Sequence, residues 1–489
     1  MPPTAERRLI LVLLALVAAA ALLRPLAEPD EGRYGEAARE MLASGDLLLP
    51  RHAGVVYPDK PPGVYWAMAG AMAVLGPTAF AVRLPALLAL GATVLLVRRR
   101  GRDRIGRAAG ATAVLILVAE PLLLVLGQLA TLDMVLTALV TAGLLAGRRL
   151  QRRGGAGPAA AAGAAFGAAF LVKGPVGPAL ALLVLLVTGL LERDGAALRR
   201  LLHPLLWLAM AAIGLPWYLA AGAAQPGLWE FWIGRETVGR IASDVHARAR
   251  PIWFFPALAA AVLFPWWLGL LSSRRRRRLA VAGDARFHAV WALLPILFFS
   301  LPAGKQPAYL APALPGLALW LGPAWAEPTD RRPRLVIGAA WAALALAGLI
   351  LFLDPVRARS EDDTARVLRA AGAADWAGAQ LMSWSYGLPF RLRRTDLECL
   401  GPPPKAWTFA AGRGLAPERS GRERAFARAV ELLAGAQPAF VLVHDPDGDG
   451  RNRLELARAL RDAGVAWSEP PTRSAARLFL NRPLASGLD

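Results

Sequence analysis

The sequence predicts an α-helical polytopic membrane protein of about eleven transmembrane helices, with outward juxtamembrane helices and a C-terminal soluble α/β domain. Three observations predict it. The chain of 489 residues is 56% hydrophobic and 19% charged, whereas a soluble protein carries about a quarter of its residues as charges. Apolar runs of about 15–20 residues recur until about residue 353, and the tail beyond has none. Arginines are dense in every second loop between those runs, as they are when cytoplasmic loops hold the positive charge. The formal net charge of +20 therefore belongs to topology, and a nucleic-acid partner is not expected, since no folded basic face is indicated. The single cysteine, Cys399, excludes an intramolecular disulfide and cysteine-rich metal modules.

Arg7 and Arg8 precede the first apolar run, which reads as an uncleaved span because further runs follow it. Spans are expected at roughly 9–27, 82–98, 109–127, 133–147, 157–172, 175–191, 202–220, 252–271, 288–302, 307–325 and 335–353. The cytoplasmic loops then carry Arg98 to Arg107, Arg148 to Arg153, Arg193 to Arg200, Arg274 to Arg278 and Arg331 to Arg334. The apolar stretch Gly63 to Leu75 would reverse this alternation if it crossed. It is short for a crossing, so it reads as a helix lying in or dipping into the outer interface after Pro61-Pro62. The outward loops are 28–81, 128–132, 173–174, 221–251 and 303–306, and the tail from Asp354 is also outward, which leaves the N-terminus cytoplasmic. The Ala/Gly-rich tract AGPAAAAGAAFGAA reads as a small-residue packing face. In the tail, AQLMSWSYGLPF, AFVLVHD and ARLFLNRP read as strands, and RERAFARAVELLAGA and RLELARALRDAG as helices. The turn DPDGDG resembles the start of a calcium loop, but Leu456 stands where a bidentate glutamate is needed, so a polar turn after a strand is expected.

Candidate chemistry gathers in the outward loops. Tyr34, Ala37, Ala38, Met41 and Leu42 repeat at helical spacing, marking an amphipathic helix with Asp30 at its N-cap and Gly45 past its end. Capping alone accounts for Asp30. The density of charge just outside a span, Asp30, Glu31, Arg33, Glu36, Arg39 and Glu40, argues for a site supported by Glu31, Arg33 and Tyr34. Asp133, at the outer lip of two spans, is either a second cap or a second carboxylate facing the same side. Only Lys60, Lys173, Lys305 and Lys405 are lysine, so arginine outnumbers lysine by 52 to 4 among the 56 cations. Lys60, Lys173 and Lys305 all fall at outer membrane boundaries, each followed within two residues by proline. A compact ammonium suits a phosphate oxygen; interfacial snorkelling is the competing account. The loop RETVGRIASDVHARARP offers arginines for a lipid phosphate, and His246, a surface residue on the simplest reading, could join Asp59 at a divalent metal ion. No Walker A, dinucleotide-binding, HExxH or GxSxG motif occurs, so a donor already activated on a membrane carrier is expected.

DEGRYGEAAREMLASGD, YPDKPPGVYW, the Asp133 turn, FLVKGPVG, the His246 loop with PIWFFPALAAAVLFPWW, and KQPAYLAPALP stand in an order that resembles the GT-C membrane glycosyltransferases of family 39. The bacterial branch that includes the lipid A aminoarabinose transferase is the most similar. The resemblance covers roughly residues 5–355, and the tail is like that branch in position and class. It implies that Asp30 and Asp133 are the catalytic acids, that Lys60 is the lysine of the usual E-K-P-P, and that Arg248 and Lys305 contact the lipid phosphate. Asp59 stands where glutamate is usual, and Gln306 where leucine is common. The expected activity is transfer of a sugar from a polyprenyl-phosphate donor to a glycolipid or glycan acceptor at the periplasmic face of the bacterial inner membrane, by a monomer. A protein O-mannosyltransferase is the alternative enzyme; a lipid flippase and a non-catalytic scaffold are the rivals outside enzymology.

Overall fold

The computed structural model describes residues 4–239, 249–281, 284–326, 336–340, 343, 361–401, 408–411, 422–444, 450–472 and 476–482. The chain forms two compact units that interleave along the sequence. One comprises Met1–Leu22, Lys60–Ala67 and Arg83–Leu349, the other Leu23–Asp59, Met68–Val82 and Ile350–Asp489. Sequence reading drew a single boundary at 353/354; the compact units are drawn instead by packing, with Leu23–Asp59 and Met68–Val82 in the unit that holds the tail and Lys60–Ala67 in the other.

The helices in chain order are α1 (Thr4–Leu23), α2 (Asp30–Ser44), α3 (Gly63–Leu75), α4 (Ala79–Arg104), α5 (Arg107–Ala119), α6 (Pro121–Gly127), α7 (Leu132–Arg153), α8 (Ala156–Lys173), α9 (Val176–Glu192), α10 (Gly195–Arg200), α11 (Pro204–Ala224), α12 (Leu228–Glu230), α13 (Phe254–Val262), α14 (Ser273–Val281), α15 (Ala285–Ser300) and α16 (Leu314–Trp325). Among the described residues three helical stretches, Ala79–Arg104, Ala156–Lys173 and Gly195–Ala224, are long and apolar enough to cross a membrane. The bent pair α5–α6 makes a fourth, and Arg8–Leu23, Gly63–Leu75, Val176–Glu192 and Ala285–Ser300 are shorter apolar helices. The expected eleventh span lies largely outside the described residues.

Packing in the first unit depends on the absence of side chains. A Cβ on Gly163 of α8 would stand 2.1 Å from the Leu206 carbonyl oxygen of α11, and one on Gly167 2.7 Å from that of Met210. The small-residue tract expected from sequence is thus the seam between these helices. Two expected spans are interrupted, and one expected loop contains helix. The run 109–127 is not one straight span: α5 and α6 meet at 67°, because Pro121 cannot continue the α5 ladder and Glu120 caps α6 by accepting from Leu122 N and Leu123 N. The run 252–271 is likewise interrupted after Val262, where Pro265 precedes a 3-10 turn over Trp266–Leu271. The stretch 221–251, expected as an outward loop, contains α12 and a π-helix over Phe231–Gly239. At the arginine-rich end, Arg100, Arg104, Arg148 and Arg152 converge on the fully buried carboxylate of Asp284. Arginines read as topological signals are therefore also structural ties.

In the second unit α2 is followed by a hairpin of β1 (Arg51–His52) and β2 (Val55–Val56), turned by Ala53 and Gly54 with φ of 49° and 74°. The tail adds α17 (Asp362–Ala370), β3 (Ala377–Leu381), α18 (Gly387–Leu392), β4 (Glu398–Leu400), α19 (Thr408–Ala411), α20 (Arg422–Ala434), β5 (Ala439–Val443), α21 (Arg451–Asp462) and β6 (Arg477–Leu480). The sheet order is β4-β3-β5-β6. β3 is parallel to β4 and β5, with Ala379 opposite Val441, and β6 is antiparallel to β5. β5 is buried throughout, as a strand covered on both faces must be. Ala425, Phe426, Ala429 and Leu433 of α20 pack with Leu456 and Leu460 of α21 on Leu381, Val441, Val443 and Phe479. The stretch read as one strand, AQLMSWSYGLPF, is a strand only to Leu381; Pro389 sits inside the helix that follows. Most of DPDGDG lies outside the described residues.

Candidate functional site

In the second unit the site builds from the start of α2. Asp30 is its first helical residue and does not cap it: Pro29 holds the N-cap position and has no side-chain cap. The Asp30 carboxylate instead accepts from Arg33 and stays half exposed. The Arg33 guanidinium lies 5.2 Å from the centroid of the Tyr34 ring, so its other face is satisfied by π density. Glu31 is 1% exposed, paired with Arg24 at 2.9 Å, and accepts from Ala27 N at 2.8 Å. Carboxylates in the first turn also meet the positive end of the helix dipole. The predicted apolar stripe is buried at Tyr34, Ala37, Ala38 and Met41, while Leu42 is exposed. On the polar face of α2, Glu31, Glu36, Arg39 and Glu40 are buried too, their charges compensated internally. Arg39 donates twice to Glu36 at 2.7 Å, and Glu40 accepts from the turn amides of Ala53 and Gly54. His52 is fully buried between Tyr57, at 4.6 Å, and Tyr386, at 4.9 Å. Burial, with the Arg33 charge nearby, holds its pKa well below the usual imidazole range.

In the first unit Asp133 is the second residue of α7, with Thr131 in the N-cap position; it too is no cap. Its carboxylate pairs with the ammonium of Lys173, the last residue of α8. Each charge sits at the favourable end of its helix dipole. The same ammonium stands 4.7 Å from the Tyr309 ring centroid. Lys60 pairs with Glu236 at 3.0 Å, both side chains being largely buried. Lys305, 5% exposed, donates to the carbonyl oxygens of Arg250 and Pro302. The segments carrying those carbonyls are tied together by Arg250 N to Ala303 O at 3.1 Å. They run directly into an open apolar groove of about 470 Å³ whose lining includes Ile252, Trp253, Pro256, Leu297, Phe298 and Leu301.

Of the residues singled out from sequence, Asp133 and Lys173 are brought together, while Lys60 and Lys305 have separate partners. Asp30, Glu31, Arg33 and Tyr34 form one cluster in the second unit. Arg248 and His246 lie outside the described residues. Asp59 places a buried carboxylate oxygen beside Lys60 in sequence, but no group of three or more His, Cys, Asp or Glu side chains suited to a metal occurs among the described residues. Sequence reasoning missed Tyr309, which stands in KQPAYLAP with no spacing to mark it. It also missed Glu28, whose carboxylate accepts from the tail amides of Tyr386 and Gly387.

Comparison with known proteins gives a consistent assignment. Residues 59–219 match the family described as dolichyl-phosphate-mannose-protein mannosyltransferase. The chain is 34% identical over 306 residues to the undecaprenyl phosphate-alpha-4-amino-4-deoxy-L-arabinose arabinosyl transferase of Edwardsiella ictaluri, covering 60% of this chain and 55% of that protein. It is 33% identical over 382 residues to the protein of the same name from Pseudomonas aeruginosa, covering 74% of this chain and 68% of that one. The chain thus spans little more than half the length of the first relative and about two thirds of the second. The crystal structure of ArnT from Cupriavidus metallidurans bound to undecaprenyl phosphate matches over 98% of both chains with a TM-score of 0.78 and 23% identity, which establishes the fold as of the GT-C type. With the two acids at helix starts, the boundary lysines and this fold in place, the chain belongs to the family of undecaprenyl phosphate-aminoarabinose arabinosyl transferases, membrane glycosyltransferases.

Proposed function

We propose that this protein transfers a sugar from a polyprenyl-phosphate-linked donor to a lipid A phosphate or another envelope glycan at the periplasmic face of the bacterial inner membrane. The observation that carries the reading is Lys305. A nearly buried ammonium costs several kcal/mol unless compensated, and among the described residues this one donates to two carbonyl dipoles and pairs with no carboxylate. An anion would complete it, and the chain leads from its carbonyl partners into the apolar groove. A phosphate at Lys305 with its polyprenyl chain in that groove satisfies both.

In this reaction the acceptor oxygen attacks the anomeric carbon, the bond from that carbon to the phosphate oxygen breaks, and its electron pair leaves with the polyprenyl phosphate, with inversion. Lys305, Lys60 and Arg248 neutralise the charge that develops on the departing phosphate. Asp30 orients the acceptor and takes its proton where the acceptor is a hydroxyl; an ionised phosphate acceptor has no proton to give, and Asp30 then only positions it. Asp133 assists, and its pairing with Lys173 makes that lysine an orienting group as well as a phosphate ligand. The topology proposed with this chemistry is the eleven-span arrangement, with a cytoplasmic N-terminus, a periplasmic α/β tail domain from 354 to 489 and a single polypeptide as the working unit.

In proteoliposomes with lipid-linked sugar, Lys305→Met should lower kcat/KM about 100-fold or more, the scale of losing one charge contact to a phosphate. Wild-type kcat/KM in that variant would overturn the phosphate assignment. The match to the mannosyltransferase family over residues 59–219 favours a second reading, protein O-mannosylation. Mass spectrometry of lipid A and of envelope proteins from a deletion strain separates the two by which molecule loses its sugar.

A further inference from the structure

The second unit contains a contact that the proposed chemistry does not use. Glu28 stands two residues before Asp30, at the entry to α2. Its carboxylate accepts from the backbone N–H groups of Tyr386, at 3.4 Å, and Gly387. The space around it is closed by two glycines, one from each side. A Cβ on Gly32 of α2 would lie 2.2 Å from Glu28 Oε1, and a Cβ on Gly387 would lie 2.6 Å from the same oxygen. Both distances are below contact, so glycine is required at 32 and 387 if the carboxylate is to stay where it bonds.

What this contact fixes is the Ser385–Gly387 loop, and that loop faces the reactive end of α2. Tyr386 is 4% exposed, and its ring packs at a tilt against His52 with centroids 4.9 Å apart, while the Glu28 carboxylate that it bonds is wedged against Gly32 in the first turn of α2. Arg33 in turn holds Asp30. A second tie lies nearly two turns past Arg33 along α2, where Arg39 donates to the Arg394 carbonyl oxygen at 3.2 Å. Asp30 itself is half exposed and has no cap to hold it, so its direction depends on Arg33 and on whatever fixes Arg33.

We propose that Glu28 is a positioning residue for the transfer reaction: by bonding the Ser385–Gly387 loop of the tail while wedged against Gly32, it fixes the first turn of α2 and so aims the Asp30 carboxylate that Arg33 holds there. The proposal rests on the assignment of Asp30 to the reaction. It gives the tail a defined share in catalysis, through one carboxylate and one loop.

The test uses the full chain in proteoliposomes with lipid-linked sugar, and amide hydrogen exchange over residues 29–36. Glu28→Ala should lower kcat about tenfold or more, the scale of a misaimed catalytic group, with KM for the donor within about twofold, and should raise exchange over 29–36 while the sheet β3-β5 stays protected. Gly387→Ala, which displaces the carboxylate from the tail side, should do the same. Glu28→Gln keeps an acceptor of the same shape and should restore kcat to within about threefold of wild type. Unchanged kcat in Glu28→Ala, a change confined to KM, or unchanged exchange over 29–36 would overturn the proposal. So would general loss of protection in the tail sheet in both Glu28→Ala and Gly387→Ala, since the contact would then serve the fold alone. Full activity in Asp30→Asn would instead remove the role of Asp30, while exchange over 29–36 would still report whether Glu28 holds the loop.

Discussion

Asp133 and Lys173 illustrate how a single pair divides between stability and chemistry. Both side chains are 13% exposed, so neither charge is fully solvated, and removing one partner strands the other where water reaches it poorly. Asp133→Asn and Lys173→Met should each lower kcat about 10- to 100-fold if the pair acts as one unit, and the double variant should be no worse than the poorer single one. Multiplicative losses in that double-mutant cycle would show that the two act separately. The residue identities were legible in the sequence because a lysine is rare in this chain and an acid at a span boundary is costly. The role assigned to each from spacing was incomplete: both Asp30 and Asp133 fell at helix starts, yet neither caps its helix, since a nearby cation takes the carboxylate. That choice is made by three-dimensional neighbours, which spacing does not report.

At the scale of the helix, close approach decides what the sequence leaves open. α8 touches α11 backbone to backbone at Gly163 and Gly167, and in a lipid environment such contact replaces the hydrophobic drive that would hold helices together in water. Gly163→Ala should therefore lower the stability of the detergent-solubilised protein by about 1–3 kcal/mol, read as a fall in its unfolding temperature. Gly157→Ala on the same helix, where a Cβ meets nothing within 4 Å, should be neutral or slightly stabilising. Equal effects of the two would mean that the seam is not where the stability lies. Helix α3, from Gly63 to Leu75, has the extent that its apolar run and preceding prolines gave it. The breaks at Glu120-Pro121 and at Pro265 were present in the sequence as prolines inside apolar runs, and hydropathy averaged over those runs concealed them.

Across the molecule, charge placement links pH to stability. The Glu28 carboxyl is pushed up to about 8, chiefly by its removal from water and next by the Glu361 charge, against the bonds from Gly387, Tyr386 and Ser385. A folded-state value above the ordinary 4.5 means that the contribution is fully present below that ordinary value. It is lost as pH rises through about 8, because the unfolded chain releases its proton first. The unfolding temperature of the purified protein should accordingly decline between about pH 5 and pH 9, and Glu28→Gln should flatten that decline. The arginine clusters behave differently. Arg100, Arg104, Arg148 and Arg152 share Asp284, so cations expected from sequence to mark topology tie together α4, α7 and the segment leading into α15.

The sequence by itself determined the class of the protein and the approximate starts of most helices. These follow from local rules: hydrophobic length, the cost of burying charge, and the backbone limits of proline and glycine. The tertiary structure decided which cation meets which acid, and that Lys305 donates to the carbonyl oxygens of Arg250 and Pro302. It also decided that Glu28, an unremarked residue before a proline, reaches Gly387 more than three hundred positions away. Such pairings depend on chain segments folded against one another, and no periodicity or composition along the chain carries that information.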